Sequence, residues 1–119
     1  MPAHKILIVD NNHDFRGRLR HQLESWGYEV MEAEEGAEEV KTALEESPDL
    51  LLLDYHMPYI NGVQVAKTAL AQRPDLQVLF ITPEFERSFL AEMVPSDTHF
   101  MQKPFEMEDL QRNITHLLH

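Results

Sequence analysis

The sequence predicts an α/β fold, a parallel sheet wound with helices on both faces, and three observations predict it. Short apolar runs alternate with amphipathic stretches along all 119 residues, two of the runs (KILIVD and DLLLLD) are apolar almost without interruption, and prolines and glycines fall at the joints. Strict β-α alternation implies parallel neighbours, because each pair needs a crossover and crossovers are right-handed. Strands buried on both faces lose their period of two, so the two apolar runs belong at the centre. With five strands the expected order is 2-1-3-4-5, and the ligand crevice then opens at the carboxyl ends of the first and third strands.

The five strands are KILIVD, YEVMEA, DLLLLD, LQVLFI and THFMQ, rich in Ile, Val and Leu or carrying an aromatic. Between them the spacing turns helical. Phe15, Leu19, Leu23 and Trp26 fall on one face of a first helix with Asn12 as its cap. Ala37, Val40 and Leu44 mark a second, Val63, Ala66, Ala69 and Leu70 a third, Phe85, Phe89 and Met93 a short fourth, and Leu110, Ile114, Leu117 and Leu118 the last. Gly27 and Gly36 occupy turn positions, and Pro48, Pro58, Pro74, Pro83, Pro95 and Pro104 fall at or near the joints. There is no repeat, low-complexity tract or linker, so residues 1–119 read as one domain.

Composition bounds the function. Twenty-one acids against 10 bases give a net charge of −11, which argues against duplex DNA and anionic membranes as partners and favours a cation or a basic protein surface. No segment approaches the roughly 20 apolar residues of a membrane span, and MPAHKILIVD lacks the long apolar run and cleavage site of a signal peptide, so the expected setting is cytoplasmic. The absence of cysteine excludes disulfides and thiolate metal sites.

Both central strands end in an acid, Asp10 after ILIV and Asp54 after LLLL. The fourth strand ends in Thr82, and the fifth is followed by Lys103 and Pro104. The fold gathers these strand ends at one rim, and the set suits one chemistry. A carboxylate can attack phosphorus and form an aspartyl-phosphate if the incoming oxygens are neutralised. Magnesium does this with one or two carboxylates, while a lysine supplies a point charge and a hydroxyl a hydrogen bond. Phosphoryl transfer needs little more than such positioning.

ILIVD, LLLDYHMPYINGV around Asp54, ITP and FMQKPF, in that order and spacing, resemble the receiver domain of bacterial two-component response regulators along essentially the whole chain. The resemblance implies a flavodoxin-like (βα)5 sheet. It implies Asp54 as phosphoacceptor, Asp10 as a metal-binding acid, Thr82 as the switch hydroxyl, Lys103 as the phosphate-binding base and Phe100 as the aromatic that changes rotamer with the switch. His56 would lend its backbone carbonyl to Mg2+ or Mn2+, its side chain and Glu84 would tune dephosphorylation, and Met57, Pro58 and Gly62 would shape the loop into the third helix. The implied partners are a sensor histidine kinase or a histidine phosphotransfer protein upstream and a protein or output domain downstream, with a homodimer possible through the fourth-helix face. Such a domain is not an enzyme beyond its own phosphotransfer and dephosphorylation.

Four features depart from the family pattern. A pair of acids usually follows the first strand, whereas here Asp10 is followed by Asn11, which offers an amide oxygen directly or through water but no charge. Magnesium is therefore expected to bind weakly. Pro83 stands where a small residue is usual, stiffening the loop after Thr82 and removing an N–H. Pro95-Ser96 replaces a common Gly-Ala, and the fourth helix is short. These features support an alternative function, a pseudo-receiver that binds proteins independently of phosphate. A phosphatase fits poorly because His56 stands where a second acid is common, and a flavin module because no Ser/Thr/Gly-rich loop follows the first strand.

The remaining polar residues have plainer readings. His116 and His119 at the terminus are expected in solvent, and His4, His13, His21 and His99 have no ligand spacing. Phe100 and Trp26 serve the core whatever else they do. Glu32, Glu34, Glu35, Glu38 and Glu39 are expected to form a solvated face.

Overall fold

The computed structural model describes residues 4–10, 12–33, 41, 43–54, 59–83, 92, 94, 98–103 and 105–119, with backbone alone at 54, 59–62, 83 and 103. Five strands, β1 (Lys5–Val9), β2 (Glu29–Ala33), β3 (Leu50–Asp54), β4 (Gln77–Pro83) and β5 (His99–Lys103), pair in parallel in the order β2-β1-β3-β4-β5. This is the predicted order. Around the sheet lie α1 (His13–Ser25), α2 (Tyr59–Gln72) and α3 (Met107–Leu118).

Alternation along each strand divides the core in two. Leu7, Val9, Leu51, Leu53, Val78 and Phe80 pack with Val63, Ala66, Ala69 and Leu70 of α2 on one face. On the other, Ile6, Ile8, Leu50, Leu52, Leu79 and Ile81 pack with Leu19 and Leu23 of α1 and Leu110 and Ile114 of α3. Ile6–Val9 and Leu50–Leu53 have no exposed surface, as their unbroken apolarity requires of central strands. Trp26 packs, half-buried, against the α1/α3 face.

Local chemistry fixes the ends of α1. Asn12 caps it, its Oδ1 accepting the Phe15 N–H at 2.9 Å. Gly27, at φ +95°, closes it: the Gly27 N–H donates to the Glu24 carbonyl at 3.0 Å and the Tyr28 N–H to the Leu23 carbonyl at 3.2 Å, a paired motif that needs a left-handed residue between. The chain then turns directly into β2.

Several boundaries differ from the sequence reading. β4 runs one residue past Thr82, and Lys103 lies inside β5 rather than after it, because Pro83 still pairs with Lys103 after the apolar pattern has ended. Gly62 lies in the first turn of α2 instead of in the loop before it, while Met57 and Pro58 lie outside the described residues. Leu44 is helical and buried, but Ala37, Val40, Phe85, Phe89, Met93, Pro95 and Ser96 lie outside the described residues. His119 is exposed as expected yet not unattached: its ring meets that of His4 edge-on at 4.8 Å, and its Nε2 lies 3.4 Å from the Tyr28 hydroxyl. Chain distance hid this contact.

Candidate functional site at the carboxyl edge of the sheet

Strand register brings the predicted positions together. Val9 pairs with Leu53, so residues 10 and 54 come next on neighbouring strands, about 4.8 Å apart by sheet spacing. Asp54 pairs with Ile81, which sets Thr82 one residue further along β4. Thr82 pairs with Gln102, and Lys103 follows it at the end of β5. Asp10 and Thr82 have no exposed surface. The backbones of Asp54 and Lys103 occupy this rim, whereas Asn11, His56 and Glu84 lie outside the described residues.

Asp10 is anchored through its whole peptide unit. Its N–H donates to the Ala33 carbonyl at 3.4 Å, its Oδ1 accepts the Asn12 N–H at 2.9 Å, and its carbonyl accepts Nη1 of Arg16 at 2.5 Å. The Arg16 side chain is 8% exposed and makes two further bonds, from Nε to Glu32 Oε1 at 2.8 Å and from Nη2 to His13 Nδ1 at 3.2 Å. The second of these requires His13 to carry its proton on Nε2. Glu32 also accepts Nη1 of Arg20 at 2.7 Å.

Two opposing effects act on Glu32. Burial raises its carboxyl pKa, but the hydrogen bonds from Arg20 and Arg16 outweigh that and hold it below the usual carboxylate range. The Glu32 bond likewise raises Arg20 above its ordinary value, against the pull of burial. Glu32 is therefore not part of a solvated face. Its companions Glu34, Glu35, Glu38 and Glu39 lie outside the described residues. Arg16 was missed by sequence reasoning although a signal existed: 16, 19 and 23 are spaced by three and four, which puts this arginine on the apolar stripe of α1.

Thr82 and Phe100 share a sheet face. Phe80 pairs with Phe100 and Thr82 with Gln102, so alternation carries all four side chains to the α2 side. The Phe100 ring stacks on Phe80 with centroids 6.0 Å apart and planes 17° from parallel, and packs half-buried against that core. It is a core residue at the edge of the rim.

The chemistry of this edge is that of oxygen donors. A buried carboxylate suits a hard cation, and a hydroxyl can donate to a phosphoryl oxygen. Among the described residues no three His, Cys, Asp or Glu side chains gather as metal ligands, and no helix is long and apolar enough to cross a membrane.

The family model for the response regulator receiver domain matches residues 6–115. The chain belongs to this family. The receiver is 33% identical over 115 residues to the response regulator receiver protein CpdR of Brucella abortus, covering 96% of each. It is 32% identical over 117 residues to the alkaline phosphatase synthesis transcriptional regulatory protein PhoP of Bacillus subtilis, covering 96% of this chain and 48% of that one. It spans about half the length of several curated regulators that it matches. Among solved structures, the Thermotoga maritima response regulator TrrA in complex with Mg(2+)-BeF superposes with a TM-score of 0.82 at 29% identity, over 97% of this chain and 99% of that one. Receivers are signalling domains rather than conventional enzymes.

Proposed function

We propose that this receiver accepts a phosphoryl group from a phosphohistidine on a histidine kinase or phosphotransfer protein, carries it on Asp54, and thereby alters a surface read by a downstream protein or output domain. Residues 1–119 act as one unit in this scheme. The observation that carries the reading is the register: Asp10 and Asp54 follow paired residues at the ends of the two central strands, with Thr82 and Lys103 on the next two.

In the proposed reaction a carboxylate oxygen of Asp54 attacks phosphorus. The new O–P bond forms as the P–N bond breaks, and the donor imidazole leaves with the bonding pair. Lys103 supplies a fixed positive charge to the phosphoryl oxygens, and the Thr82 hydroxyl donates to one of them. Asp10, Asp54 and the His56 carbonyl would hold Mg2+ or Mn2+, with Asn11 contributing an amide oxygen or a bound water. An all-oxygen set fits either ion, and a neighbour in complex with Mg(2+)-BeF supports the choice. The cation, when bound, neutralises the phosphoryl oxygens.

With Asn11 the pocket is one acid short. Unit charges about 4 Å apart at an effective dielectric near 20 interact by about 4 kcal/mol before desolvation, so even a third of that lost weakens magnesium by about tenfold. Phosphorylation of Asp54 alters contacts at Thr82 and Phe100, while His56 and Glu84 set how long the product survives. A second reading, a receiver fold that binds its partner without phosphate, draws its support from Asn11, from Pro83 at the end of β4 and from Pro95 in the sequence.

Intact mass after incubation with a small phosphodonor, with and without magnesium, tests the proposal on wild type and Asp54→Asn. The expected result is one phosphoryl group gained only when both magnesium and Asp54 are present. No gain from the folded protein with either a small donor or a phosphohistidine donor refutes it, and partner binding unchanged by a phosphoryl mimic would favour the second reading.

A further inference from the structure

We infer that Arg16 is a positioning residue of the acid pocket, holding the Asp10 peptide in the geometry that a bound divalent cation requires; this rests on the reading of Asp10 as a metal-binding acid. The cluster lies outside the set of residues that the reaction itself uses. Its centre is a buried guanidinium, with three of its nitrogens committed to three residues, one just after β1, one on β2 and one at the start of α1.

Nη1 takes the carbonyl of Asp10, Nε takes Glu32 on β2, and Nη2 takes His13 at the start of α1. A planar guanidinium reaches these three acceptors from three separate nitrogens at fixed angles, whereas an ammonium offers its three donors from a single atom. Glu32 in turn is held from outside by Arg20 at 2.7 Å, so it cannot follow the guanidinium if that swings away, and the Arg16 pair would break. Asn12 completes the clamp from the other side of the residue, its N–H on Asp10 Oδ1. Asp10 is thus fixed at its carbonyl by Arg16 and at its carboxylate by the following turn. Outer groups that orient a metal-binding carboxylate commonly govern affinity by about ten- to a hundredfold.

Charge and position predict opposite signs here. Arg16 brings a positive charge close to an acidic pocket, so a purely electrostatic role means that removing it tightens cation binding. A positioning role means that removing it loosens cation binding. Arg16→Met deletes both charge and fork, and Arg16→Lys keeps the charge alone. The pair separates the two effects, and the lysine variant serves should the methionine variant fail to fold.

Manganese binding followed by paramagnetic resonance reads the effect directly, alongside the half-saturating magnesium for phosphoryl uptake and a denaturant midpoint to establish folding. Both variants are expected to raise the manganese dissociation constant and the half-saturating magnesium by about tenfold. Manganese bound by the methionine variant as tightly as by wild type, or more tightly, overturns the inference, as does a folded lysine variant that matches wild type. Wild type that binds no manganese at all overturns the metal reading of Asp10 and the inference with it, and is thereby distinguished from failure of Arg16 alone.

Discussion

Arg16 and Arg20 donate to the same carboxylate at nearly equal distances, 2.8 and 2.7 Å, yet their side chains are 8% and 43% exposed. That contrast makes burial, not length, the variable. A pair of unit charges about 4 Å apart is worth about 4 kcal/mol at an effective dielectric of 20 and about 1 kcal/mol in water. The Arg16 bond sits nearer the first limit, and after desolvation about 2–3 kcal/mol of coupling should survive. Solvent screening and side-chain entropy leave the Arg20 bond about 0.5–1 kcal/mol. Double-mutant cycles of Arg16→Met and Arg20→Met with Glu32→Gln, read from denaturant unfolding with the single tryptophan Trp26 as probe, measure both couplings. The sign with pH is fixed. Glu32 titrates below its ordinary value in the folded protein, so its stabilisation is full above the unfolded glutamate value and disappears as pH falls through the lower, folded one. Equal couplings, or a larger one for Arg20, refute burial as the deciding factor, and a coupling that survives well below the glutamate range refutes the carboxylate as its source.

Three further outcomes follow from single sites. Gly27→Ala meets nothing within 4 Å, so its whole effect is the left-handed backbone, and a loss of about 1–2 kcal/mol is expected in thermal or denaturant unfolding. Thr98 buries a hydroxyl that has no hydrogen-bond partner among the described residues, so Thr98→Val should leave stability unchanged or raise it by up to about 1 kcal/mol in the same assay. Asn11→Asp restores the family's second acid, and the magnesium concentration that half-saturates phosphoryl uptake should fall by about tenfold or more.

The sheet was legible because burial on both faces leaves a pattern that nothing else in the chain imitates. ILIV and LLLL could only be central, and the strand order alone placed positions 10 and 54 side by side at the ends of neighbouring strands. Hydrogen bonds that outlast the apolar pattern were not legible, which is why β4 and β5 each run a residue further than their sequences suggest. Charged groups were the least legible. Glu32 looked like one more acid in an acidic stretch, since its two arginine partners lie 12 and 16 residues away on α1. His119 looked like a frayed end because its partners His4 and Tyr28 are 91 residues or more distant. Local pattern reports which face a residue occupies, but pairing across elements depends on tertiary packing.

The arrangement of charge explains how a buried arginine can sit beside Asp10 without neutralising its carboxylate. A guanidinium next to Asp10 would neutralise the pocket if it bonded the carboxylate. Its three hydrogen bonds go instead to the Asp10 carbonyl, to His13 and to Glu32. The carboxylate that balances Arg16 is thus supplied by β2, on the far side of β1 from β3. The charge that balances Arg16 is held by Glu32. Exchanging Glu32 for a neutral residue therefore removes the carboxylate that Arg16 and Arg20 share and leaves the buried Arg16 guanidinium without its balancing charge.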